Sequence, residues 1–192
     1  GAVLDASDLA QFIPVFSMLA ALSGQLNGRE DISALRTLTD QITGFPSLLK
    51  VLRRSVDAEG NILDSASPQL AQIRREVKAL ERRIRRRLED IVHDDRIAVF
   101  LQDDFITQRS GRWVIPVRMD SKGQVAGVVH DVSRSGDTAF VEPLSIIHYS
   151  NELENLIADQ KTEEIRILRT LSSLIREEAV RIEHEFQILV QC

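Results

Sequence analysis

The sequence predicts a mainly α fold carrying a small antiparallel β insertion, and three observations support it. Stretches on both sides of residue 100 repeat apolar residues at steps of three and four. Residues 105–142 instead gather β-branched and aromatic side chains into short runs. Gly, Ser and Asp collect in the joints between those runs, as turns require.

Residues 5–54 read as short helices over Asp5–Leu26, Asp31–Thr43 and Pro46–Arg54, separated by Asn27-Gly28 and Gly44-Phe45-Pro46. Pro14 lacks an N–H and is expected to kink or break the first of them. Asp57–Asn61 is a turn around Gly60. Ser65-Ala66-Ser67-Pro68 then starts a helix, with a serine cap and proline at the first position. Beyond it Leu70, Ile73, Val77, Leu80, Ile84, Leu88 and Ile91 form a narrow seam of the coiled-coil kind. Between Arg74 and Arg87 that helix holds eight basic residues against Glu76 and Glu81.

The β insertion reads as two hairpins. Phe105–Arg109 and Arg112–Arg118 turn at Ser110-Gly111, and Val125–Val132 and Thr138–Val141 turn at Ser133–Asp137. Pro143 is expected to stop the sheet and open the next helix. From there to Cys192 no Pro or Gly interrupts, which allows one helix about 70 Å long at roughly 1.5 Å per residue. Leu168, Leu171, Ile175, Ile182 and Leu189 mark its seam, and its acidic residues outnumber its basic ones. It is expected to pair antiparallel with the basic helix. The pattern still runs at the last residue, as in a piece of something longer. The expected division is a helical core segment at 1–64, a first long helix and connection at 65–104, the β insertion at 105–142 and a second long helix at 143–192.

Composition narrows the function. The net charge of −5 excludes a uniformly basic nucleic-acid binder, although the charge is unevenly spread. No apolar run looks long enough to cross a bilayer, and Pro14 interrupts the nearest one, so no membrane partner is expected. A single cysteine excludes an intrachain disulfide and fits a reducing cytoplasm.

No Gly-x-x-x-x-Gly-Lys-Ser/Thr loop is present, so the chain has no phosphate cradle of its own. His130, Asp131, Ser133 and Ser135 are too close in sequence to converge on one reacting atom as a hydrolase triad. His130, Asp131, Glu142 and His148 match no metal-ligand spacing. No catalytic, cofactor or metal residue is therefore expected here. The binding candidates are cations. Arg109, Arg112, Lys122 and Arg134 each sit on a predicted turn beside a small residue; projecting together, they would form a phosphate-contacting patch. The basic run 74–87 is the second group, with Arg85, Arg86 and Arg87 as its candidates. They would either touch phosphates or pair with the acidic helix, and both readings stand at this point.

Several motifs carry a resemblance: Asp64-Ser-Ala-Ser-Pro68 with Ile73-Arg-Arg-Glu76, Gly111-Arg-Trp-Val-Ile-Pro-Val117, Gly127-Val-Val-His-Asp131, Ser135-Gly136 and Phe140-Val-Glu-Pro143. Together they resemble the second class of bacterial MutS proteins, which bear a C-terminal Smr domain, over the whole chain. The resemblance implies a MutS-type core, long lever helices, a clamp inserted between them, and a homodimer. It places the ATPase region, with its ATP and Mg, and the Smr endonuclease region beyond residue 192. It also implies two roles, suppression of recombination through branched DNA and rescue of collided ribosomes through ribosomal RNA. Phe140-x-Glu142 is a miniature of the wedge of mismatch-reading MutS proteins, but that wedge belongs to a separate domain, so Phe140 is expected to pack the sheet. The alternative function is a purely structural coiled-coil dimerisation module that makes no polyanion contact.

Overall fold

The computed structural model describes residues 2–26 and 42–191. Most of the helix expected over Asp31–Thr43 falls outside them, and the two described residues, Ile42 and Thr43, are not helical. The chain forms two compact units, one of residues 1–72 and 161–192 and one of residues 73–160.

In the first unit, helix α1 (Ala6–Leu26) runs through Pro14 without interruption, so of the expected kink or break the break does not occur. Pro14 forfeits one backbone hydrogen bond. Leu9 before it and Phe16 and Leu19 after it are fully buried, and their burial offsets that loss. Because α1 is continuous, Ala6–Gly24 is long and apolar enough, by length and composition, to cross a membrane, which the sequence reading had excluded. Here its buried side chains meet Leu48, Leu49 and Leu52 of helix α2 (Pro46–Ser55) in one core, with the Phe16 and Phe45 rings 5.1 Å apart.

Helix α3 (Pro68–Val92) begins as its sequence dictates, with Pro68 first and the Leu70 N–H donating to Ser67 Oγ at 2.9 Å. Its seam is divided. Leu70 joins the core of the first unit, whereas Leu80, Ile84 and Leu88 belong to that of the second. A short helix, α4 (Asp95–Ala98), is capped by Asp94 and leads to Leu101, which bridges to Val117 at the sheet. The Arg96 guanidinium and N–H beside Asp94 lower its carboxyl pKa to about 2.

The sheet comprises β1 (Thr107–Arg109), β2 (Arg112–Arg118), β3 (Gly127–Val132) and β4 (Thr138–Pro143), all antiparallel neighbours in the order β1-β2-β4-β3. Ile115 opposes Val141 and Val117 opposes Ala139, so these four share one face. They pack into a core with Leu80, Ile84 and Leu88 of α3 and with Ile146, Tyr149 and Leu153 of the helix that follows. Val129 opposes Val141 but Asp131 opposes Phe140, which leaves His130 as the extra residue of a bulge in β3.

Pro143 is the last residue of β4, opposite Gly127, rather than the first of a helix. Helix α5 (Leu144–Glu177) follows it directly. The expected single helix to the C-terminus is interrupted at Glu178, and α6 (Ala179–Gln191) is separate. Neither Pro nor Gly marks the interruption. What holds α6 is distant in sequence: buried Glu185 accepts hydrogen bonds from Thr43 Oγ1 at 2.7 Å and the Gly44 N–H at 3.1 Å.

Candidate nucleic-acid interface

Antiparallel pairing decides where the turn cations lie. The β1–β2 turn, with Ser110 and Gly111 at φ 52° and 78°, precedes Arg112 and therefore lies toward the end of β4. The β3–β4 turn precedes Thr138, which opposes Arg118 at the other end of β2. The Met119 N–H donates to the Asp137 carbonyl at 2.9 Å, so the chain leading to Lys122 leaves from that second end. The four turn cations do not form one patch. Arg109 and Arg112 sit at one end of the sheet, and Lys122 and Arg134 are associated with the other.

Arg112 is also not a free tip. Only 19% of its side chain is exposed, and its guanidinium donates to Asn151 Oδ1 and Glu154 Oε2 of α5, each at 2.8 Å. The same guanidinium lies 3.6 Å from Oε1 of Glu142, a carboxylate 2% exposed. Oε1 has no hydrogen bond of its own, while Oε2 meets His130 Nε2 at 2.7 Å. Arg109 lies 4.3 Å over the Phe140 ring and 3.3 Å from Asp131. Phe140, 7% exposed beneath that guanidinium, packs the sheet as expected. At the opposite end Arg118 holds Asp120 at 2.8 Å, and this bond lowers the Asp120 carboxyl below its usual range. Lys122 and Arg134 are exposed and form no ion pair among the described residues.

The residues weighed as a triad or metal site have other partners. His130 bonds Glu142, Asp131 faces Arg109, and His148 stacks on Tyr149 at 3.6 Å between centroids. Ser133 Oγ accepts the Thr138 N–H at 3.1 Å, a bond that shapes the turn.

The second cation group lies on α3. With Ile73, Leu80, Ile84 and Leu88 buried, the positions two residues out of phase with them face away from the core. Arg75, Lys78, Arg82 and Arg86 occupy that face and Arg85 borders it; all are exposed and make no ion pair among the described residues. Arg87 is exposed too, but it flanks the seam beside Leu88. Arg83 lies 4.4 Å over the Tyr149 ring. Pairing of Arg85, Arg86 and Arg87 with the acidic helix is not found among the described residues.

No family model matches the chain. Individual relatives do. It is 37% identical over 191 residues to the endonuclease MutS2 of Symbiobacterium thermophilum, a match covering the whole chain and 24% of that relative. The endonuclease MutS2 of Latilactobacillus sakei is 37% identical over 195 residues, covering the whole chain and 25% of the relative. That of Solidesulfovibrio magneticus is 30% identical over 190 residues, covering 99% of the chain and 25% of the relative. The chain belongs to the MutS2 family. It spans about a quarter of the length of these curated relatives.

In this MutS2 segment, then, the exposed cations of the α3 face, with Lys122 and Arg134 on the sheet connections, have no ion-pair partner among the described residues. Sequence reasoning weighed the whole basic run 74–87 for phosphate contact but took as candidates the consecutive Arg85, Arg86 and Arg87, leaving out Arg75, Lys78 and Arg82. The signal that finds them is phase: steps of three and four, offset by half a turn from the apolar seam.

Proposed function

We propose that this MutS2 segment is the core, lever and clamp portion of a dimeric MutS-type ATPase and grips the phosphate backbone of nucleic acid. The observation that carries the reading is the α3 face of exposed cations with no ion-pair partner among the described residues. The chain as a whole is acidic, so eight basic residues against two acidic ones between Arg74 and Arg87 make a local positive stripe. Such a stripe steers a polyanion toward one helix rather than toward the whole molecule. Contacts to phosphate fix position without reading bases. Branched DNA in recombination suppression and ribosomal RNA in collided-ribosome rescue both offer that backbone. ATP, Mg and any endonuclease chemistry are assigned to other parts of a MutS2-type chain, since this segment has no phosphate loop.

The test is the salt dependence of binding to a mixed-sequence nucleic acid. Replacing Arg75, Lys78, Arg82 and Arg86 by Ala should flatten the plot of log K against log salt by about 0.7–0.9 for each phosphate that is no longer neutralised. The melting temperature should hold, because alanine is the strongest helix former and the removed groups are exposed and make no hydrogen bond or ion pair among the described residues. The Lys122→Ala, Arg134→Ala pair should flatten it less. A quadruple variant with the wild-type slope and affinity would refute the reading.

A further inference from the structure

We infer that the groove between α1 and α6 in the first unit is a docking site for a basic amphipathic helix of a partner protein. The surface is separate from α3 and does not depend on the reading of that helix. Phe12 and Val15 of α1, Ile175 of α5, and Ile182 and Phe186 of α6 line a groove of about 620 Å3, the size of a binding cleft. The Leu4 N–H donates to Ser172 Oγ at 2.9 Å and fixes the start of α1 beside α5. Apolar side chains continue the two rows. Met18 follows Val15 by three residues and Val190 follows Phe186 by four. Phe186, Met18 and Val190 are 43%, 52% and 66% exposed. From Leu9 to Leu26 α1 has no charged residue at all, whereas a helix face that meets only water is normally charged or polar.

The walls select the occupant. Both are helices, so their backbone N–H and C=O groups are already bonded and offer nothing to an extended peptide. A helical occupant satisfies its own backbone and needs only apolar anchors at i, i+4 and i+7. Leu4 to Val15 spans about 16 Å at roughly 1.5 Å per residue, or about three helical turns. The polar lining is Asp8, Gln11 and Glu183, with no Lys, Arg or His. Asp8 accepts only the Asp5 N–H, at 3.4 Å, and neither Asp8 nor Glu183 forms an ion pair among the described residues. Two carboxylates beside an apolar floor complement Lys or Arg on the flanks of a docked helix. Two copies of the groove face to face would instead set like charges against each other. An anionic bilayer surface would be repelled in the same way.

The experiment titrates the 192-residue chain into three fluorescent peptides of about 16 residues and reads anisotropy. The first has a Leu stripe at i, i+4, i+7 and i+11 flanked by Lys. The second scrambles that stripe at the same composition, and the third has Glu in place of Lys. The first should bind at least about fivefold tighter than either of the others. Phe186→Asp should weaken its binding at least about tenfold. Glu183→Lys should reverse the order of the Lys and Glu peptides. Thermal melting checks that both variants fold; if Phe186→Asp does not, Glu183→Lys alone decides. Equal binding of the Lys and scrambled peptides, binding that survives the folded variants, or no binding at all overturns the inference. Self-association of the wild type that Glu183→Lys alters assigns the groove to a second copy and overturns it. Co-sedimentation with phosphatidylcholine vesicles, lost in Phe186→Asp, assigns it to a lipid surface and overturns it too.

Discussion

Ser67 Oγ donates a 2.6 Å hydrogen bond to Glu163, which is buried, while accepting the Leu70 N–H that opens α3. One hydroxyl thus caps a helix and serves a carboxylate 96 residues away in sequence. Ser67→Ala removes both bonds and should cost about 1–3 kcal/mol. Urea denaturation reads this directly, with Ser67→Thr expected to restore most of the loss. A Ser67→Ala midpoint equal to wild type would mean the cap carries no energy.

The same carboxylate should tie stability to pH. Hydrogen bonds from Arg166, and secondarily from Ser67, lower the Glu163 pKa below its ordinary 4.5, against the upward push of burial. A carboxyl depressed by folding adds stability that is complete above its unfolded pKa and is lost as pH falls through the lower folded value. The stability difference between wild type and Glu163→Gln should therefore shrink as pH drops from about 6 to about 3. A difference that stays constant over that range would contradict the assignment.

Arg112 and Arg134 should behave differently despite their similar turn sequences. Removing the Arg112 guanidinium leaves Glu142, 2% exposed, with only His130, so Arg112→Met should cost about 2–4 kcal/mol. Arg134→Met, on an exposed turn, should stay within about 0.5 kcal/mol. Thermal melting distinguishes them. Small and equal shifts would show that the Arg112 contacts contribute little.

Two glycines should also separate. A Cβ on Gly127 would meet the Glu142 carbonyl oxygen and the Val141 Cγ1, both fixed in the sheet, so Gly127→Ala should cost about 1–3 kcal/mol. At Gly111 the space is open and only φ of 78° resists a side chain, so Gly111→Ala should cost about 1 kcal/mol. Denaturant midpoints of the two variants should fall in that order; the reverse order would place the strain in the turn instead.

Local chemistry made part of this structure legible in the sequence. Ser67-Pro68 announced the start of α3, the seam announced its buried face, and Ser110-Gly111 and Ser133–Asp137 announced the two hairpin turns. What the sequence hid depends on distance along the chain. The partners of Arg112 on α5 lie 39 and 42 residues away, and no local pattern marks Asn151 or Glu154 as their acceptors. The interruption at Glu178 goes with the Glu185 bonds to Thr43 and Gly44, which a reading of helix breakers cannot see. The split of the turn cations follows from β4 inserting between β2 and β3, an order set by long-range pairing. On α3 the decisive facts were periodic, and Arg75, Lys78 and Arg82 could have been sorted from the rest of the basic run by their phase alone.

The extra residue in β3 bears on how copies of this molecule meet at high concentration. β3 ends the sheet, with Val128, Val129 and Val132 all more than two-fifths exposed. A straight apolar edge of that kind invites strand-to-strand stacking between molecules and, from there, fibrils. His130 breaks the ladder spacing, and its bond to Glu142 anchors the irregularity to β4. Shortening β3 by that one residue would restore a regular ladder and straighten the edge, with Asp131 still opposite Phe140 and Val132 opposite Ala139. A change of one codon could in this way convert a dispersed protein into an aggregating one while leaving every cation of α3 in place.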